Sequence, residues 1–229
     1  MRFSFLLIVL FTLSSCANYT TIEYERNNHD VESGDSTTVS AINSQSRSGN
    51  EQNDPEYVAK NKGELSELDF EIAYEMCTRV LTDYYKAVWN GTDIELEPFI
   101  DNDNLKQYTQ MKIQSQHDVK GNLNDIVQNI EIGNWEGEYT DDADGGFLYL
   151  KVPVEVNKAV GSYGEITEFL VRNINGKLVI VDWYSGTKDG YDFLVRGENL
   201  TIDNPAIWNK SEWVKNLHNK QVEFSGTIR

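Results

Sequence analysis

Few residues in this chain have the type and spacing to do chemistry, and none sits in a pattern that fixes a reaction. Its three histidines, His29, His117 and His218, lie far apart, and no pair has the spacing of a shared metal site. The densest set of carboxylates is Asp141-Asp142-Ala143-Asp144-Gly145-Gly146. It departs from the Asp-x-Asp-x-Asp-Gly of a helix–loop–helix calcium site and lacks its distal Glu. It reads as a polar hairpin turn in which Gly145 or Gly146 supplies a positive φ. Cys77 falls on an apolar helical stripe and reads as a core filler, not a nucleophile. The chain has no Gly-x-Ser-x-Gly and no glycine-rich phosphate loop after a strand. No catalytic residue, metal or cofactor is therefore expected. Tyr184, Tyr191, Phe193, Trp208 and Trp213 gather in the last quarter. They either pack an extension onto the domain or line a pocket mouth or partner-docking face.

The elements that must position these residues begin near residue 66. All five tryptophans and most phenylalanines lie in 66–229, a length typical of one domain. Ser66 and Asp69 suit a helix start, with Leu65 and Phe70 placed as a hydrophobic staple. Phe70, Ala73, Cys77, Val80, Leu81, Tyr84 and Val88 recur at helical spacing up to Asn90-Gly91. A short turn over 95–100 and a weaker helix over 105–116 follow, the latter with Leu105, Tyr108, Met111 and the Lys112 methylenes on one face. From there the period drops to two. Segments 126–132, 147–156 and 166–174 read as strands, and Asn175-Gly176 is a hairpin turn into a last strand over 177–184. Helices followed by an antiparallel meander predict an α+β fold with the helices packed on one sheet. Beyond 187 the pattern predicts an extension packed on the domain, with a short helix around Trp213 and a last strand over 222–228.

Residues 17–65 are different. They hold 12 apolar residues in 49 and no Phe, Trp or Met. Such a segment cannot bury enough surface to offset its ordering entropy, so the sequence predicts a disordered tether. As a flexible coil it would hold the domain roughly 40 Å from its attachment point. The formal net charge of −17 argues against nucleic-acid binding and against adhesion to anionic lipid. Ahead of the tether, Arg2 and the run Phe5-Leu6-Leu7-Ile8-Val9-Leu10-Phe11 form an apolar segment too short to span a bilayer, and it reads as an export signal. Leu13-Ser14-Ser15-Cys16 resembles the lipobox of bacterial lipoproteins. That resemblance implies removal of residues 1–15, acylation of Cys16, and an extracytoplasmic domain anchored to the bacterial membrane by lipid. Asn18, Asn90, Asn199 and Asn209 each open an Asn-x-Ser/Thr triplet, which in a bacterial chain is a chance match.

A second resemblance covers 66 to about 186. Tyr84-Tyr85-Lys86-Ala87-Val88-Trp89-Asn90-Gly91, the turn around Leu96-Glu97-Pro98-Phe99-Ile100, and Asn175-Gly176-Lys177-Leu178-Val179-Ile180-Val181-Asp182-Trp183 resemble the nuclear transport factor two-like superfamily, also called SnoaL-like or ketosteroid-isomerase-like. It implies a cone-like roll, a curved sheet with helices closing a cup. Its enzymatic members place an Asp or His with Tyr groups in the cup, a base near the substrate proton and a donor toward the oxyanion. Tyr84, Tyr85, Tyr108, His117 and Asp182 are this chain's counterparts. Core tyrosines with satisfied hydroxyls and a surface His explain them as well. The expectation is a non-enzymatic domain that binds a protein or small molecule, with Tyr84, Tyr108, Asp182 and Trp183 lining the cup and homodimerisation through the sheet open to it. An acid/base enzyme and an accessory subunit of an envelope assembly are the alternatives.

Overall fold

A computed structural model describes residues 21–23, 57–62, 65–66, 68–121, 126–141, 145–200 and 204–227. The expected signal segment, Cys16 and most of the expected tether lie outside them, as do 142–144 of the acidic turn.

Two helices and an antiparallel sheet make the body of the α+β fold. Helix α1 spans Asp69–Asn90 and α2 spans Asp103–Lys120. Every residue of the expected α1 stripe is buried, and Met76, Tyr85, Ala87 and Trp89 widen it. The start of α1 differs from a standard capping box. The Asp69 carboxylate accepts the Ser66 backbone N–H at 2.7 Å, but the Ser66 hydroxyl donates to that same carboxylate instead of capping a helix N–H. The other carboxylate oxygen takes the Lys60 N–H at 2.8 Å. Asn102 caps α2 conventionally, accepting the N–H groups of Asn104 and Leu105.

The two helix ends are locked together by His117. Its Nδ1 lies 3.0 Å from the Val88 carbonyl, and because a carbonyl only accepts, Nδ1 carries the proton. The ring lies against Gly91, which ends α1 at φ 67°, and against Gly121 after α2. A Cβ at either glycine would come within 3.0 Å of His117 Cε1. Far from being a surface histidine, His117 is half-buried and structural.

The strands are β1 (Thr21–Glu23), β2 (Val127–Ile132), β3 (Glu136–Thr140), β4 (Phe147–Lys158), β5 (Gly161–Ile174) and β6 (Lys177–Ser185). Their order is β1-β3-β4-β5-β6, with β2 pairing along the same edge of β4 as β3. Pro153 sits where that edge changes partner. Its carbonyl accepts the Gly133 N–H at 2.9 Å, and its missing N–H faces the same side, just past the end of β2, where only the reciprocal bond to Gly133 is forgone. Asn175 and Gly176 turn the β5–β6 hairpin at φ 56° and 92°, and Gly145 and Gly146 both adopt positive φ before β4.

Four findings depart from the sequence expectations. First, the domain begins before residue 66: Tyr57, Ala59 and Leu65 are buried in the core, and the Tyr57 carbonyl accepts the Leu178 N–H at 2.7 Å. Second, β3 was not expected, because Gly137 stands where a side chain would show the alternation. A Cβ there would fall 2.6 Å from Phe70 and Trp135, whose rings stack at 5.5 Å. Third, a bulge between Val127 and Asn129 breaks the inward alternation expected from Ile126, leaving Ile126 exposed and Val127 buried. Fourth, 222–227 belong to helix α4 (Ser211–Thr227) instead of a strand: Leu217 and Gln221 point inward at helical spacing while Val222 stays exposed.

The chain after β6 adds α3 (Tyr191–Arg196), a 3-10 turn (Pro205–Asn209) and α4, which cover the β6 edge and α2. No helix among the described residues is long and apolar enough to cross a membrane.

Candidate functional site

The interior expected to be a ligand cup is packed solid at its base. Trp183 projects from β6 between Phe169, stacked at 5.8 Å, and Tyr84, edge-on at 4.9 Å, and its indole N–H donates to Thr109 Oγ1 at 3.0 Å. The Lys112 ammonium lies 4.4 Å from the Trp183 ring centre and 5.0 Å from that of Tyr84. Its charge is met by Asp192 at 2.6 Å, and both groups are out of solvent, at 1 % and 0 % exposure. Asp192 also accepts the Tyr108 hydroxyl at 2.6 Å and the Ser185 N–H at 2.8 Å. Burial alone would raise its carboxyl, but the Lys112 and Arg196 charges outweigh that and hold it below the ordinary carboxylate range.

A second buried pair lies beside the first. Arg196, four residues after Asp192 on α3, meets Asp182 at 2.7 Å and donates to the Trp183 carbonyl at 2.9 Å. Trp208 donates its indole N–H to the other Asp182 oxygen at 2.9 Å. Tyr108, Asp182 and Trp183 are buried and tied into the core through α3. Burial pushes the hydroxyls of Tyr84, Tyr85 and Tyr108 well above the ordinary tyrosine value, so all three remain neutral. Burial likewise pushes up the Cys77 thiol, which keeps it out of thiolate chemistry. Among the described residues no three His, Cys, Asp or Glu side chains gather as a metal site.

Of the expected cup residues, Tyr84 reaches an open cavity. This pocket, about 390 Å³, lies between α2, the ends of β5 and β6, α3 and α4. Lys112 and Tyr84 form its floor. Gln116 and Lys120 from α2, Tyr163 and Glu165 from β5, and Ser185 and Thr187 after β6 supply its polar wall, while Val119, Leu194 and Phe224 supply an apolar one. The polar wall is pre-set. Glu165 accepts the Tyr85 hydroxyl at 2.8 Å, the Thr187 hydroxyl at 3.1 Å and the Ser185 hydroxyl. Gln116 donates to the Tyr84 hydroxyl and accepts from Lys120 Nζ at 3.0 Å. Trp89 donates to the Tyr163 hydroxyl at 3.0 Å, and burial pushes that hydroxyl up to about 12.

These residues escaped the sequence reading, although two signals were present. Lys112, Gln116 and Lys120 recur every four residues and so share one face of α2, and Tyr163 and Glu165 alternate in phase with the buried Thr167 and Phe169 of β5. Four of the five C-terminal aromatics pack the extension. Tyr184 donates to the Gly197 carbonyl, Tyr191 lies tilted against Tyr108 and edge-on to Phe224 while also lining the pocket, and Trp208 packs against Trp213 at 5.0 Å. Phe193 stays on the surface. No family model, curated protein or solved structure matches this chain.

Proposed function

We propose that this chain is a lipid-anchored, extracytoplasmic binding protein whose α+β domain, of the nuclear transport factor two-like cone-like kind, holds a small molecule in the pocket between α2 and α3. The observation that carries the reading is the pocket itself: about 390 Å³, with a polar wall fixed in advance by internal hydrogen bonds and an apolar wall opposite. That size and mixture suit a small organic ligand. Turnover is not part of the reading. Asp182, the carboxylate that the superfamily resemblance would offer as a base, is matched by Arg196, and the buried phenols stay neutral.

A ligand at one hundred times its dissociation constant stabilises a fold by about 2.7 kcal/mol, which raises the melting temperature of a domain of this size by several degrees. A thermal-shift screen of small organic molecules on the full chain is expected to give such hits. The hits should vanish in Val119→Trp, which fills the mouth. Stabilisation that survives this substitution unchanged would remove the pocket from the account.

Anchoring is a separate part of the proposal and has its own test. Cells fed an alkyne-tagged fatty acid are expected to label the wild-type chain, with label lost in Cys16→Ser; an equally labelled variant overturns the anchor.

A further inference from the structure

We infer that the ligand of this pocket is an organic anion with an apolar body, its charged group received by Lys120. The inference rests on the pocket being a binding site and specifies the chemistry that site selects. Three cations have been drawn into the interior around the pocket, and two are matched: Lys112 by Asp192 at 2.6 Å and Arg196 by Asp182 at 2.7 Å. Lys120 is the exception. Among the described residues no carboxylate lies within ion-pair distance of its ammonium. Its ammonium donates to the neutral Gln116 amide, and it rests 5.0 Å above the Trp89 ring.

The nearby charges leave that cation under-compensated. Lys158 places a second ammonium on the same indole, 4.2 Å from the ring centre. Glu165 is close enough to act on Lys120, but its oxygens already accept three hydroxyls. Burial pushes the Lys120 ammonium below its ordinary value, Glu165 opposing and Lys112 and Lys158 adding to the drop. The wall thus holds a cation with no ion-pair partner, beside a Glu165 carboxylate whose charge is spread over three hydroxyl hydrogen bonds, and Asp189 also lines the cavity. A ligand that brings a negative charge completes it, and a charge-assisted hydrogen bond in a half-buried site is worth about tenfold or more in affinity. Val119, Leu194 and Phe224 receive the apolar remainder.

The test uses two fluorescent probes of nearly the same apolar body on the full chain: anilinonaphthalene sulfonate, an anion, and phenylnaphthylamine, which is neutral. The sulfonate is expected to bind wild type more tightly than the amine. Lys120→Gln should weaken the sulfonate about tenfold or more and leave the amine unchanged, while Lys120→Arg, which keeps the charge, retains sulfonate affinity. Lys86→Gln, on the exposed side of α1, should alter neither. Equal binding of both probes with no effect of Lys120→Gln overturns the anion while leaving the pocket standing, provided Val119→Trp still blocks both. Equal losses in Lys120→Gln and Lys120→Arg also overturn it, because charge is then not what the site supplies. Binding of both probes that ignores Val119→Trp overturns the pocket reading and the inference together.

Discussion

Asp192→Asn is expected to cost about 3–5 kcal/mol of unfolding free energy. The substitution keeps the shape of the side chain and removes its charge, which strands the Lys112 ammonium at 1 % exposure with no counter-ion. It also weakens the acceptor for the Tyr108 hydroxyl and the Ser185 N–H. Urea denaturation of the full chain measures the loss. The same carboxylate makes stability depend on acid. Its value in the fold lies below that of the unfolded chain, about 3.9, so its contribution is complete above that value and fades as pH falls through the lower, folded one. Between about pH 5 and pH 2 the wild type should lose more stability than Asp192→Asn, whose position 192 does not titrate. Parallel acid curves for the two proteins would show that Asp192 is not the coupled group.

The second large effect separates a structural Asp182 from a functional one. Asp182→Asn and Arg196→Met are each expected to cost about 3–5 kcal/mol, because either leaves a buried charge unmatched. Replacing both, with Asp182→Leu and Arg196→Met, removes the two charges at once. The double variant should lose less than the two singles together, about 1–3 kcal/mol for each group it orphans: the Trp208 indole N–H that Asp182 accepts and the Trp183 carbonyl that Arg196 serves. It should still bind whatever the pocket binds, because Asp182 lies outside the pocket wall. A double variant as unstable as the sum of the singles would mean that the two charges do not act as a pair.

These two ion pairs mark the limit of what could be read along the chain. The stripe of α1, the strands β4 to β6 and the Asn175-Gly176 turn were legible because each is a local pattern. Helical spacing sets which side chains share a face, and positive φ at two successive turn residues selects Asn-Gly. Elements that broke their own pattern were missed: β3 by Gly137, the end of α4 by a run that suits a strand as well as a helix, and the domain's first core residues by the polar sequence around Tyr57 and Ala59. Of the site, Tyr84 was legible, and Tyr191 as one of the aromatics that could line a pocket mouth. Glu165, Lys120 and Gln116 read singly as solvated surface.

What the sequence alone determined is the α+β order of elements, a strongly acidic chain, and an N-terminal segment whose residue types set the expectation of export and lipid attachment. Only the tertiary structure decided which charges are buried and with whom. Asp192 and Arg196 stand four apart on a six-residue helix, where sequence would pair them with each other on a wet surface. Folded back over β6, α3 instead hands Asp192 to Lys112, 80 residues away, and Arg196 to Asp182. Charge pairing in an interior depends on distance in space and on the exclusion of water, and neither is written in the order of the residues.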